Sequence, residues 1–435
     1  MINEGLLSFS KGVRDICIEN DTISNDLFRE YNVNRGLRDV NGKGVLTGLT
    51  KISKIIPFDG KGGQLWYRGY TVDEIINGIK PDEYGFEKTA YLLMFGEYPT
   101  DAQLKEFSKQ LAGCRRLPTN FTREIIMKAA SGDVMNSMNR SILALASYDR
   151  NANNIELSNV ISQCMYLISV LPMFAVYSYH AYNHYNNGAS MYIHHPRPEL
   201  STTENLLYML RPDNKFSKLE AKVLDTALML HMEHGGGNNS TFTTRVVTSS
   251  GSDTYSTIGA AMASLKGPKH GGANIKVVEM MKDINNNVSN KKSDAEIKDY
   301  LSKILDKEVF DKQGLIYGMG HAIYSVSDPR EKILKEYAKQ LAVEKGMTEE
   351  LELYQKIEAL APVVIAEKRK IYKGVSPNVD FYSGFVYKML NIPVELYTPL
   401  FAVARIVGWC SHRIEEIIGA GKIIRPAYMS VMEEK

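Results

Sequence analysis

KLEAKVLDTALMLHM, residues 218–232, sets the fold class: Leu219, Val223, Ala227 and Leu230 recur at the three- and four-residue spacing of one helical face. The same spacing returns in EYGFEKTAYLLMFG (83–96), DAQLKEFSKQLAG (101–113), NVISQCMYLISVL (159–171) and LELYQKIEALAPVVIAEKRK (351–370). From about residue 82 onward it is nearly continuous, and sustained period-two alternation is scarce. The exception lies early, where VLTGLTKISKIIPFDGKGGQLWYRGY (45–70) mixes β-branched residues with glycine and reads as a short hairpin. The chain is expected to be all-α, mainly α-helical, with a small β element near its N-terminus. No repeat of fixed period is present, which disfavours an α-solenoid.

A chain of 435 residues exceeds the size at which one core stops growing, so two or three packed units are expected. Lys and Arg number 52 against 50 Asp and Glu, a formal charge of +2, which excludes the basic excess of a nucleic-acid or anionic-membrane binder. The 44% hydrophobic and 23% charged content is that of a globular protein with a large core. Cys17, Cys114, Cys164 and Cys410 form no CxxC pair, which argues against a zinc ribbon or a disulfide scaffold and for a reducing compartment. No secretory signal is readable at the N-terminus, and the expected location is the cytoplasm. The most apolar stretch, CMYLISVLPMFAVYSY (164–179), is interrupted by Pro172 and shorter than a spanning helix, so a buried helix is expected. KDINNNVSNKKSDAEIKDY (282–300) reads as a solvated connection between helices.

Three glycine-rich breaks interrupt the second half: HGGGNNS (234–240), KGPKHGGAN (266–274) and YGMGHAIY (317–324). His231, His234, His270 and His321 sit in or beside them, where helices end and side chains reach a cleft. No Walker A loop exists, and GKGVLTG (42–48) misses the dinucleotide spacing, so nucleotide hydrolysis and hydride transfer are poor readings. His231 and His234, three apart, could ligate a metal, but they match neither HExxH nor HxxEH and lack a third ligand; the competing reading is a histidine at the last helical carbonyls.

Arg405 lies in TPLFAVARIVGWC (398–410) among apolar neighbours, so its guanidinium needs either a buried acidic partner or an anionic ligand. Arg330 follows Asp328-Pro329 in the first turn of a helix, where the macrodipole disfavours a cation and a nearby anion would offset that; the alternative is an exposed arginine. Asp380 in SPNVDFYSGF opens another helix, either as an N-cap or as a base. A carboxylate and two histidines in one cleft are the minimal kit for removing a proton next to a carbonyl and stabilising the enolate.

HMEHGGGNNSTFTTR, LKGPKHGGAN, YGMGHAIYSVSDPR, PNVDFYSG and TPLFAVARIVGWC, in this order, resemble the citrate synthase family, and LWYRGYTVDEI near residue 66 is similar to its N-terminal segment. The resemblance runs from about residue 40 to Arg425. It implies an α-helical homodimer of the Si type: a large domain of residues 1–271 and 391–435, and a small domain, 272–390, that closes over the cleft. It implies an acyltransferase that condenses acetyl-CoA with oxaloacetate and hydrolyses citryl-CoA, using no metal and no cofactor beyond its substrates.

By the same resemblance, Asp380 is the base that takes the methyl proton, His270 bonds the thioester oxygen, and His321 polarises and protonates the ketone. His234, Asn238, Arg330, Phe401 and Arg405 are the oxaloacetate positions, joined by Arg425 from the second subunit. The loop Leu315, Ile316, Tyr317, Gly318, Met319 and Gly320 receives the adenine of CoA, and Lys312, Lys368 and Lys373 are the candidates for its phosphates. The sequence departs from the family at Ala322, where many bacterial relatives carry arginine, and at Ser325, where animal forms do. The small-residue helix STIGAAMASL (256–265) is expected to pack on a symmetric partner. The rivals are a 2-methylcitrate synthase using propionyl-CoA, a metallohydrolase built on His231 and His234, and a catalytically silent helical scaffold.

Overall fold

A computed structural model describes the chain except residues 1–10, 12–13, 15–17, 20–21, 23, 33, 35, 40–43, 58–61, 81–82, 321–323, 325–326, 371–374, 420–421 and 433–435. Contacts divide it into residues 1–49 and residues 50–435. The first unit contains α1 (Asn25–Glu30), whose N-cap Ser24 accepts from Leu27 N–H.

The second unit begins with an antiparallel three-stranded sheet, β1 (Ser53–Ile56), β2 (Gln64–Tyr67) and β3 (Tyr70–Thr71), with Ile55 opposite Leu65 and Tyr67 opposite Tyr70. The expected hairpin is therefore present, and β3 extends it. Helices follow: α2 (Val72–Asn77), α3 (Phe86–Phe95), α4 (Asp101–Cys114), α5 (Val134–Leu145), α6 (Leu157–Asn187), α7 (Thr202–Leu210), α8 (Lys218–His231), α9 (Asn239–Ser249) and α10 (Thr254–Lys266). Then come α11 (Ala273–Asn287), α12 (Asp294–Leu305), α13 (Pro329–Lys345), α14 (Thr348–Arg369), α15 (Val379–Met389) and α16 (Tyr397–Gly419). The mainly α-helical expectation holds. Reciprocal capping boxes start α2, α4, α7 and α8, pairing Thr71 with Glu74, Thr100 with Gln103, Ser201 with Glu204 and Ser217 with Glu220.

Two expectations need correction. Pro172 does not interrupt α6, which runs for 31 residues and is long and apolar enough to cross a membrane. Its central run from Leu167 to Ser178 is instead buried inside the protein, so the packing holds the helix through the lost hydrogen bond. The polar segment 282–300 is mostly helical: α11 and α12 occupy its two ends and only residues 288–293 connect them. Ile284, Val288 and Ile297 supply the buried face that its Asn/Lys-rich composition obscures.

α16 packs against α6, α8 and α9, and α9 packs on α10, which lies on α5. Gly259 of α10 is used inside the chain, because a β-carbon there would stand 2.9 Å from Leu143 Cδ2 of α5. The small residues of this helix therefore serve an internal contact at this position. α11 packs on α15, α15 on α13, and α12 on α14, with α13 also touching α8.

Candidate active site

The turn between α8 and α9 carries His234 and Asn238. His231 ends α8 facing inward: its Nδ1 lies 2.7 Å from the Ala227 carbonyl oxygen and its ring packs edge-on to Phe401 with centroids 5.2 Å apart. Burial, reinforced by the charges of Arg330 and Arg405, pushes its pKa down to about 3. Among the described residues no group of three or more His, Cys, Asp or Glu is placed to hold an ion. His234 lies edge-on to Tyr324 at 5.8 Å. Gly235 has φ +87°, the left-handed conformation that admits glycine without strain.

His270 reaches the same place from the end of the α10–α11 connection, its ring 6.2 Å from Phe401. Its Nε2 stands 3.0 Å from Ser240 Oγ and receives the Ser240 N–H at 3.4 Å. The Trp409 indole N–H donates to Ser240 Oγ at 3.1 Å, which leaves the hydroxyl proton for His270 Nε2 or for Asn238 Oδ1 at 2.9 Å. The Ser240 N–H, a donor only, makes Nε2 an acceptor and leaves the ring proton on Nδ1. Burial, with the charge of Arg405, lowers the pKa to about 4, so the imidazole is neutral at pH 7 and can donate a hydrogen bond without being an acid.

The arginines answer the two questions the sequence posed. Arg330 is buried in the first turn of α13 and bonded through Nε (3.0 Å) and Nη2 (2.7 Å) to Asp328, which also caps the helix. Asp328 accepts the Val379 N–H as well, at 3.2 Å, tying α13 to the start of α15. Among the described residues Arg405, only 1% exposed, forms no salt bridge: Nε donates to the His231 carbonyl at 2.7 Å, the guanidinium lies 4.7 Å from the Phe401 ring centre, and Nη1 is buried with no partner among them. Burial pulls its pKa down to about 10, and Glu233, Tyr67 and Asp380 are the negative or polarisable groups that resist this.

Asp380 occupies the first turn of α15, but the cap is Asn378, whose Oδ1 accepts the Asp380 N–H at 2.9 Å. The Asp380 carboxyl is thus released from capping. Burial raises its pKa to about 6, against the lowering charges of Arg330 and Arg405. Asn378 also joins the glycine loop: its N–H bonds the Gly318 carbonyl at 2.9 Å, its Nδ2 the Gly320 carbonyl at 2.9 Å, and Gly320 N–H the Ser376 carbonyl at 2.8 Å. Met319 pairs with Pro377 across this seam. Gly318 has φ +77° and sits against Phe381, where a β-carbon would lie 2.9 Å from its ring.

In the same loop Leu315 is exposed, Ile316 is buried, and the Tyr317 hydroxyl donates to Asp311 at 2.6 Å. Lys312 is exposed, whereas Lys368 pairs with Asp306 at 2.5 Å. Arg425 is exposed on the C-terminal segment beyond α16. His321, Ala322, Ser325 and Lys373 lie outside the described residues. The structure thus brings His231, His270, Arg330, Phe401, Arg405 and Asp380 into one electrostatic neighbourhood, with His234 adjoining through Tyr324. Sequence reasoning passed over Glu233, Ser240, Asp328 and Trp409, which hold these groups. Asp328, two residues before Arg330, was the one with a local signal.

The family model for the citrate synthase C-terminal domain matches residues 37–427. A citrate synthase from Synechocystis sp. is 33% identical over 379 residues, 87% of this chain and 88% of that protein. A 2-methylcitrate synthase from Shewanella oneidensis is 32% identical over 376 residues, covering 86% and 91%. The solved citrate synthase of the archaeon Thermoplasma acidophilum, a ternary complex with carboxymethyl coenzyme A and oxaloacetate, superposes with a TM-score of 0.76 at 28% identity over 93% of this chain and 97% of that one. With its helical fold and this extent of similarity, the chain belongs to the citrate synthase family.

Proposed function

We propose that the protein condenses acetyl-CoA with oxaloacetate and hydrolyses the resulting citryl-CoA to citrate and CoA, the entry step of the tricarboxylic acid cycle. The observation that carries this is Arg405: a buried guanidinium whose Nη1 has no partner among the described residues, beside Arg330 and next to a carboxyl whose pKa is about 6, is a receptor for a small dianion at a site of proton abstraction. Asp380 takes a methyl proton from acetyl-CoA while His270 Nδ1–H donates to the thioester oxygen, so the charge that develops there meets a neutral donor. The enolic carbon attacks the ketone of oxaloacetate, and His321 supplies the proton to the new alkoxide. Water then cleaves the thioester and releases the thiol of CoA.

His234, Asn238, Arg330, Phe401 and Arg405 are the proposed oxaloacetate contacts, completed by Arg425 of a second copy in a homodimer. The loop 315–320 is the proposed adenine site, and Lys312, Lys368 and Lys373 the proposed phosphate contacts. Residues 272–390 are proposed to close on the cleft, a motion favoured by the mutual packing of α11, α12, α13, α14 and α15. No metal or redox cofactor enters the scheme, and the proposed location is the cytoplasm.

The Shewanella relative favours one second reading, propionyl-CoA as the acyl donor. A single methylene changes binding by only about 1–3 kcal/mol, so the pocket must be assayed. Thiol release with oxaloacetate and either acetyl-CoA or propionyl-CoA, compared as kcat/KM with and without a chelator, decides between them. No thiol release with either donor would overturn the proposal, and loss of activity on chelation would overturn its metal-free scheme.

A further inference from the structure

The turn that carries His234 and Asn238 contains three successive glycines, Gly235 to Gly237, and so has almost no side chains with which packing could hold its shape. What holds it is a buried carboxylate. Glu233, fully enclosed, folds back so that Oε1 accepts the Gly235 N–H at 2.6 Å, the Ser53 hydroxyl at 2.8 Å and His412 Nε2 at 3.0 Å. Space for it is made in α16 by Gly408, where a β-carbon would lie 2.5 Å from Glu233 Oε2. The other nitrogen of His412, Nδ1, faces Arg245 Nε at 3.0 Å and Nη2 at 2.7 Å. Arginine has only donors, so Nδ1 must accept, and the single ring proton sits on Nε2 pointing at Glu233. Arg245 is held in turn by Glu415 and by Glu416 at 2.8 Å.

We infer that His412 is a positioning residue: with Arg245 behind it, it fixes the Glu233 carboxylate and through it the glycine turn that presents His234 and Asn238 to oxaloacetate. The chain runs from carboxylates at the end of α16 to a turn of the substrate site without touching substrate. Ordinary core packing would not need a buried carboxylate, whose desolvation is costly; Oε1 carries all three of the bonds to Gly235, Ser53 and His412, while Oε2 is buried with no hydrogen-bond partner among the described residues. Pairing with His412, the charge of Arg405 and the Ser53 bond overcome burial and keep Glu233 ionised, with a pKa of about 2. The inference rests on the reading of His234 and Asn238 as oxaloacetate contacts.

The test uses full-length His412→Phe, His412→Gln, Arg245→Gln and, as a control on that reading, His234→Ala. Oxaloacetate affinity is measured by calorimetry, and kcat and both KM values by thiol release. His412→Phe should weaken oxaloacetate by about tenfold or more, since small misplacements of binding groups are costly, while the acetyl-CoA KM at saturating oxaloacetate stays within about twofold. His412→Gln should recover most of the loss, because its amide N–H can reach Glu233 while its carbonyl accepts from Arg245. Folded His412→Phe with wild-type oxaloacetate affinity overturns the inference, as does a uniform loss of kcat and of both affinities together with a lower melting temperature. If that variant does not fold, Arg245→Gln takes its place: a selective loss of oxaloacetate affinity supports the chain, and an unchanged affinity overturns it. Unaltered oxaloacetate binding in His234→Ala overturns the reading of the turn itself, and the positioning role with it.

Discussion

Replacing Asp380 by Asn preserves shape and removes the proposed base, and the structure sets the size and the pH signature of the loss. The Asn378 cap, not the Asp380 carboxyl, starts α15, so the substitution should leave the helix intact. A positioned general base contributes about 10²- to 10⁴-fold, and turnover should fall by that order while oxaloacetate affinity changes little. The wild-type carboxyl, raised by burial from its ordinary 3.8 to about 6, must be ionised to accept a proton. Activity is therefore present above pH 6 and lost as pH falls through it, with kcat/KM for acetyl-CoA dropping about tenfold per pH unit below that point. Arg330 and Arg405 hold the value down, so Arg405→Leu should move the acidic limb of its residual activity upward. The assay is thiol release from about pH 5 to 8 in a constant-ionic-strength buffer, with CD to confirm folding. Near-normal turnover in Asp380→Asn, or an acidic limb that stays in place in Arg405→Leu, would refute the assignment of the base.

Three further outcomes are expected. Glu331 is buried, and burial followed by the charge of Glu358 raises its pKa to about 8; the native state thus keeps a proton that the unfolded chain releases near 4.5, and stability falls as pH rises from about 4.5 to 8. Urea midpoints at about pH 6 and 8 should show this slope in the wild type and a shallower one in Glu331→Gln. If residues 272–390 close on oxaloacetate, calorimetry should find acetyl-CoA bound more tightly in its presence and the reciprocal effect of equal free energy; equal affinities with and without oxaloacetate would end the closure model. If the proposed homodimer shares its sites, mixing Arg425→Ala chains with Asp380→Asn chains should restore part of the activity, because one site of each mixed dimer would draw both intact residues from opposite chains. Verified subunit exchange with no recovery would place Arg425 outside the partner's site.

Much of this was legible in the sequence because it is local. The helical spacing in 218–232 and 351–370 predicted α8 and α14, and the Asp-Pro pair predicted the start of α13. What escaped was carried by pairs distant in the chain. The carboxylate of Glu233 meets His412, 179 residues away, and Ser240 meets Trp409 after 169. No periodicity registers such contacts. Pro172 was misread because a proline's local cost is visible in the sequence and the surrounding core that offsets it is not. The STIGAAMASL stripe shows a related ambiguity: small residues permit close approach without naming the neighbour, and at Gly259 that neighbour is α5 of the same chain.

The hydrogen-bonded seam between Gly318–Gly320 and Ser376–Asn378 bears on how such a chain can vary over evolutionary time. One side of the seam ends at the position before His321, and the other ends two positions before Asp380. Main-chain pairing is itself indifferent to side-chain identity, so substitutions are tolerable except at Gly318 and Gly320, which need their left-handed backbone, and at Asn378, whose side chain bonds the Gly320 carbonyl. A one-residue insertion or deletion on either side is another matter, since it would slide the pairing and shift the start of α15 against the glycine loop. A change of length within these two short segments is therefore expected to cost more than a change of side chain at positions other than Gly318, Gly320 and Asn378.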